Sequence, residues 1–197
     1  MRHHRKLAVA LLAAVLFVTP ALAGGNANFL LGLRKPTEDR YDHRTVDALQ
    51  DIPAFGVSVD FRTGNLPINW VVGAYRASKD ADQTISGQNV TVTSTFSELS
   101  FGVNKIWSST NMRPHVGGGV TYMKGEIELK HNGQSGSQDD KSPAVYGEGG
   151  VYWRMGHAFN IGVSGRVVRG TSLKLKGEDF QGDYAQVGLV LGWGWGD

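Results

Sequence analysis

From Ala185 to Trp195 the chain alternates large and small residues. Ala185, Val187, Leu189, Leu191, Trp193 and Trp195 fall on one face of a strand, and Gln186, Gly188, Val190, Gly192 and Gly194 on the other. Successive strand side chains point to opposite sides of a sheet, so one face is greasy and the other too poor in volume for an ordinary packed core. A soluble barrel keeps its bulky apolar residues inside. A barrel in lipid shows an apolar band and aromatic girdle outward and keeps its lumen polar or tightly filled. The pattern therefore predicts a strand that closes a transmembrane barrel, with the two tryptophans at headgroup level.

The same alternation recurs upstream. Asn28–Arg34 sets Phe29, Leu31 and Leu33 against Leu30, Gly32 and Arg34, and Ala54–Arg62 sets Phe55, Val57, Val59 and Phe61 against Gly56, Ser58, Asp60 and Arg62. A third strand runs over Ile68–Ala77 with Trp70, Val72 and Ala74 in register. A fourth, Thr91–Trp107, has Leu99, Phe101, Val103 and Trp107 opposite Glu98, Ser100, Gly102 and Asn104. The fifth, Arg113–Lys124, places Val116, Gly118, Val120 and Tyr122 against His115, Gly117, Gly119 and Thr121. The sixth, Pro143–Trp153, places Val145, Val151 and Trp153 opposite Tyr146, Glu148 and Tyr152. A seventh, from Phe159 to Val167, sets Phe159, Ile161, Val163 and Val167 against Asn160, Gly162, Ser164 and Arg166. Each run reads with period two, the signature of a strand with two unlike faces.

The eight runs are joined by connections that alternate long and short. Lys35–Asp51, Ser78–Asn89, Gly125–Ser142 and Gly170–Asp183 are long and polar; Thr63–Pro67, Ser108–Met112 and Arg154–His157 are short turns. Bacterial outer-membrane barrels have an even number of strands, short periplasmic turns and longer extracellular loops, with about 9–11 residues per spanning strand. The predicted fold is an all-β, eight-stranded antiparallel up-and-down transmembrane β-barrel, with the polar loop over Gly125–Ser142 expected to be mobile.

Composition supports that reading. The 197 residues include 27 glycines, where typical usage of about 7% gives roughly 14. Glycine weakens helices and suits crowded or bent strands. The amino terminus, Met1-Arg-His-His-Arg-Lys6 followed by an apolar run to Val18 and by Ala21 and Ala23, has the three parts of a secretory signal. The expected division is a cleaved leader at residues 1–23 and a barrel domain at 24–197. Arg2, Arg5 and Lys6 leave with the leader, so 17 of the 20 basic residues face 18 acidic ones in the mature chain. That balance offers no global positive field to draw nucleic acid. Absence of cysteine suits an oxidising compartment and a reducing one equally.

Three stretches carry a resemblance: Arg113-Pro-His-Val-Gly-Gly-Gly-Val-Thr-Tyr122, Tyr146-Gly-Glu-Gly-Gly-Val-Tyr-Trp-Arg154 and Phe159-Asn-Ile-Gly-Val-Ser-Gly-Arg166. They are similar to the fifth, sixth and seventh strands of the small outer-membrane barrels of the OmpA, OmpX and opacity-protein type, and the resemblance spans about residues 26–195. Such barrels usually end in an aromatic residue, whereas this sequence reads Trp193-Gly-Trp-Gly-Asp197. The resemblance implies a monomer in the outer membrane of a Gram-negative bacterium, in contact with membrane lipid and lipopolysaccharide. It also implies delivery by periplasmic chaperones and insertion by the barrel assembly machinery.

Candidate chemistry lies on the inner face. Arg34, Asp60, Arg62, Glu98, His115, Glu148, Arg166 and Gln186 form the expected lumenal polar network, and Trp70, Trp107, Trp153, Trp193 and Trp195 the expected aromatic girdle. Buried charges require partners and an eight-stranded barrel is filled by its own side chains, so a structural plug is favoured over an ion path. A lipid-modifying hydrolase needs a nucleophile and base in reach of each other; in His157-Ala-Phe-Asn160 a phenylalanine stands where the lipid A deacylase pattern has serine. A soluble lipocalin-like carrier needs bulky apolar residues lining its cavity, and here that face holds charges and glycines. Glu126, Glu128, Asp139 and Asp140 supply oxygens without the spacing of a calcium loop. Gly117-Gly-Gly119 lies mid-strand without the lysine or helix of a phosphate loop. No cofactor, metal site or catalytic residue is expected, and the leading function is structural or surface-interacting, with a narrow channel second.

Overall fold

The computed structural model describes residues 24–37, 51–62, 66–85, 88–108, 111–131, 134–175 and 178–196; the expected leader at residues 1–23 lies outside them. Among the described residues ten strands follow in chain order. They are β1 (Gly25–Pro36), β2 (Ile52–Arg62), β3 (Asn69–Ile85), β4 (Gln88–Ile106), β5 (Met112–His131), β6 (Gln134–Met155), β7 (Phe159–Arg169), β8 (Leu173–Leu175), β9 (Glu178–Phe180) and β10 (Tyr184–Trp195). Eight of them close into an antiparallel barrel in the order β1-β10-β7-β6-β5-β4-β3-β2, and β8 and β9 form a separate two-stranded ribbon. Closure pairs β1 with β10 along their whole lengths, from Gly25 opposite Trp195 to Pro36 opposite Tyr184. No unpaired edge remains in the barrel, which is what allows a sheet to sit in hydrocarbon.

The alternation resolves into outside and inside. Leu99 is 63% exposed and Leu189 61%, whereas Glu98 is 3% and Val190 3%. Phe55, Phe101, Phe159, Ile161 and Leu191 face outward with them. Soluble monomers rarely show apolar patches beyond a few hundred Å², but here the exposed apolar residues belong to every barrel strand and form a belt. The strands are long enough for it: β2 and β7 have 11 residues each, enough to cross a bilayer when tilted.

Two expectations fail at the long connections. β3 and β4 stay paired to Ile85 opposite Gln88, and β5 and β6 to His131 opposite Gln134. Most of Ser78–Asn89 and Gly125–Ser142 is therefore continuous hairpin rather than loop. The reason is local. Asn89–Thr95 is rich in β-branched residues, Glu126–Leu129 alternates, and Asn132-Gly133 between the last paired residues is a strong hairpin signal. The last long connection, at 170–183, contains the β8–β9 ribbon. Of the first, residues 38–50 lie outside the described residues. At the opposite end β6 and β7 are joined by a tight turn, in which Gly156 has φ 64°, which a residue with a Cβ adopts only at a cost.

The tryptophans gather at this short-turn end. Trp70 follows the first residue of β3, Trp107 follows β4, Trp153 lies near the end of β6, and Trp193 and Trp195 end β10. Trp70 stacks on Phe101 with centroids 5.4 Å apart. Lys105 holds its ammonium 5.4 Å from the Trp107 ring centre.

Candidate functional site: the lumen

The inward side chains lie in layers along the barrel axis. At the short-turn end Asp60 of β2 is enclosed by carboxamides. Asn26 donates to it at 3.0 Å, Asn69 at 2.8 Å and Asn28 at 3.4 Å. Asn160 donates to Asn26 at 2.9 Å and accepts from Arg154 at 2.8 Å, so two amides link the Arg154 cation to the Asp60 carboxylate across the barrel floor. Above lies a thin apolar layer of Leu30, Tyr152 and Val190, with Ile106 against it. His115 stacks on Tyr152 at 4.2 Å between centroids, and its Nε2 is 3.4 Å from the Ser164 hydroxyl.

The central layer is ionic. Arg166 of β7 lies 2.6 Å from Glu98 of β4 and 3.0 Å from Glu148 of β6. Arg34 of β1 lies 3.2 Å from the other Glu98 oxygen and donates to Gln186 at 3.3 Å. Tyr184 donates to Glu98 at 2.5 Å. The guanidinium groups also lie over aromatic rings, Arg34 3.7 Å from the centre of Tyr184, Arg166 3.7 Å from Tyr146 and 4.5 Å from Tyr75. Cation–π contact of this kind strengthens as water is excluded. Space for the rings comes from glycine: a Cβ on Gly56 would overlap the Tyr75 ring, and one on Gly102 would meet the Tyr146 hydroxyl. The glycine excess of the inner face is thereby converted into aromatic platforms for two arginines.

An apolar layer covers the ions at the long-hairpin end. It contains Ile52, Ala54, Ala77, Phe96, Met123 and Val168, and Leu173 of β8 is packed among them with no exposure. The connection carrying Leu173 is tied down at both ends. Thr171 donates to Asp183 through its amide at 2.9 Å and its hydroxyl at 2.7 Å, and Ser172 N donates to Ser142 at 2.8 Å.

The structure thus splits the expected eight-residue set. Arg34, Glu98, Glu148, Arg166 and Gln186 are in contact. Asp60 is held by asparagines in its own layer, and His115 sits between the two with Ser164 rather than with a charged partner. Arg62 is the correction: it is exposed at the short-turn rim, because it is the last residue of β2 and strand parity fixes a face, not a depth. The asparagines and Tyr75, Tyr146 and Tyr184 were missed as members. All lie on the inner-face parity of their strands, which was the available signal.

What this arrangement supplies is cohesion between strands, through paired charges and amides. The His115–Ser164 pair is buried, with His115 4% and Ser164 8% exposed and no acid at His115 Nδ1 among the described residues. His157 is exposed in the β6–β7 turn, where its carbonyl accepts from Arg154 at 3.0 Å. Glu126 and Asp139 converge instead on Lys124, at 3.2 and 3.3 Å.

A closed eight-strand barrel with an apolar exterior and a largely polar inner face defines a transmembrane β-barrel of the outer-membrane type. Solved structures agree with that fold. Ail, the attachment invasion locus protein of Yersinia pestis, is similar at a TM-score of 0.55 with 14% identity over 87% of this chain and 98% of that one, in its complex with the heparin analogue sucrose octasulfate. A second crystal structure of Ail scores 0.51 with the same identity and coverage. A major outer membrane protein from Thermus thermophilus scores 0.52 with 12% identity, covering 86% of this chain and 99% of that one. No protein-family model and no curated protein sequence matches the chain.

Proposed function

We propose that the protein is a monomeric outer-membrane barrel of a Gram-negative bacterium with a structural or surface-interaction role, its lumen closed by its own side chains. The layered filling of the lumen carries this reading: amide, apolar, ionic and apolar strata succeed one another along the axis, and in a barrel this narrow such layers leave little room for a water column. The short turns face the periplasm and the long hairpins project outward, as the general architecture of these barrels requires. Delivery by chaperones and insertion by the barrel assembly machinery follow from that location.

The projecting face suggests an anionic partner. Arg76, Ser97, Lys124 and Lys141 lie side by side across β3–β6, on outward positions just beyond the apolar belt. Phosphates of lipopolysaccharide would meet Arg76 and Lys141 there, while Lys124 between them is held by Glu126 and Asp139, and the polyanionic analogue bound by Ail is of the same charge class. Planar-bilayer recording tests the closed lumen: the reconstituted wild type should give no steady conductance. Steady wild-type conductance abolished by Glu148→Gln would replace this reading with a narrow channel.

A further inference from the structure

The short-turn end has a charge distribution that the lumen does not explain. A cavity of about 460 Å³ opens between the β2–β3 and β4–β5 turns, lined by Arg62, Lys105, Asn69, Ser108, Trp107 and Leu66 among others. It runs into a smaller recess that shares Arg62, Asn69 and Ser108 and adds Arg113 and the backbone of Gly24 and Gly25. Arg62 and Lys105 thus share one mouth with Arg113 at its inner end, and among the described residues no carboxylate lines either part. The nearest acid in sequence, Asp60, is 1% exposed and its oxygens are taken by Asn26, Asn28 and Asn69 on the lumen side. The three short connections add no aspartate or glutamate between Arg62 and Asn69, Ile106 and Arg113, or Arg154 and Phe159; Asp197 lies outside the described residues.

Like charges that line one cavity, such as Arg62 and Lys105, repel one another unless an anion joins them. The supporting backbone is fixed: Arg62 N donates to Gly24 O at 2.9 Å, and Trp107 N to Pro114 O at 3.0 Å. One lip of the cavity is apolar, since Leu66 and Trp107 are 51% and 43% exposed there. Its volume lies within the roughly 300–1,000 Å³ usual for small-molecule sites. We infer that this mouth binds a phosphate-bearing anion, with Arg62 and Lys105 on the phosphate and Arg113 at the inner recess. Arginine supplies a planar pair of donors and lysine a point charge, the combination that phosphate recognition uses. Leu66 and Trp107 then meet the carbon skeleton of the ligand. The phosphate can come from the headgroup of an anionic glycerophospholipid or from a soluble phosphate ester, and the chemistry is shared.

Native mass spectrometry of the refolded full-length mature chain separates these sources, with phosphatidylglycerol, headgroup-free diacylglycerol and glycerol 3-phosphate as probes. The wild type should retain phosphatidylglycerol over diacylglycerol, and Arg62→Gln/Lys105→Gln should weaken that retention at least 10-fold. The charge-keeping Arg62→Lys/Lys105→Arg should stay within about 3-fold of wild type, by the point-charge share of the interaction. Lys105→Gln alone, at an exposed position that leaves the ladder intact, should lose a measurable part. Heat-modifiable migration checks folding of each variant, and Arg169→Gln, a cation at the far end, should change nothing. Binding of glycerol 3-phosphate without phosphatidylglycerol, lost in the same variants, would assign the site to a soluble ester. Equal retention of both anions by wild type and the double variant would overturn the inference.

Discussion

Arg166 is the most heavily committed side chain in the lumen, and its removal gives the sharpest test of the ionic layer. Its guanidinium meets Glu98 at 2.6 Å, Glu148 at 3.0 Å and the Tyr184 hydroxyl at 3.4 Å. Glu98 keeps Arg34 at 3.2 Å and the Tyr184 hydroxyl when Arg166 is lost, whereas Glu148 loses the cation beside it. Arg166→Met keeps much of the volume and removes the charge. Stranding a buried partner costs about 3–5 kcal/mol, and with a urea slope of about 2 kcal/mol/M the unfolding midpoint in detergent should fall by about 2 M. Adding Glu148→Gln removes the stranded charge, so the double variant should be more stable than the sum of the two single losses implies. The coupling from the full cycle should be about 2 kcal/mol, inside the range seen for contacting pairs. Additivity to within about 0.5 kcal/mol, the behaviour of independent sites, would refute the network.

Other perturbations address the remaining layers. Leu189→Arg, in the middle of the outward belt, should destabilise the barrel by about 2–4 kcal/mol in a bilayer; unchanged urea stability in lipid would contradict the outward assignment. Leu173→Ala empties a fully buried position and should cost about 2–4 kcal/mol, with earlier proteolysis of the 170–183 connection. Removing residues 128–137 and rejoining the strands with Asn-Gly should leave heat-modifiable folding intact, because the ladder within the belt does not depend on the projecting hairpin; loss of that folding would show the hairpin to be structurally required. Asn69→Leu should destabilise more than Asn104→Leu, since the first strips Asp60 of its 2.8 Å donor, and thermal unfolding in detergent reads the difference.

The faces of the strands were legible in the sequence because period two needs no knowledge of partners. Phe55 and Asp60, or Leu99 and Glu98, could be assigned to opposite sides from parity alone, and the resemblance to small outer-membrane barrels holds at the level of the fold. Depth was not legible. In a tilted barrel the height of a residue depends on the stagger between strands, so Arg62 and Arg34 shared a face on paper while one is exposed at the rim and the other is 2% exposed. The asparagine floor was overlooked because Asn26 precedes the first clearly alternating residues, and amides near strand ends resemble turn residues. The hairpin extensions were overlooked because polarity outweighed the Asn132-Gly133 turn and the β-branched run from Val90 to Thr95.

The absence of cysteine makes single-cysteine spin labelling of the reconstituted protein the direct test of a lipid-facing belt around a closed lumen. Labels at Leu99→Cys, Phe101→Cys, Leu189→Cys and Leu191→Cys should be relaxed by oxygen, which concentrates in lipid. Labels at the intervening Ser100→Cys and Val190→Cys should be protected from both oxygen and a water-soluble nickel complex. Strong relaxation of the Ser100 and Val190 labels by nickel would reveal a water-filled lumen, and the same result at Leu99 and Leu189 would remove the barrel from the membrane altogether.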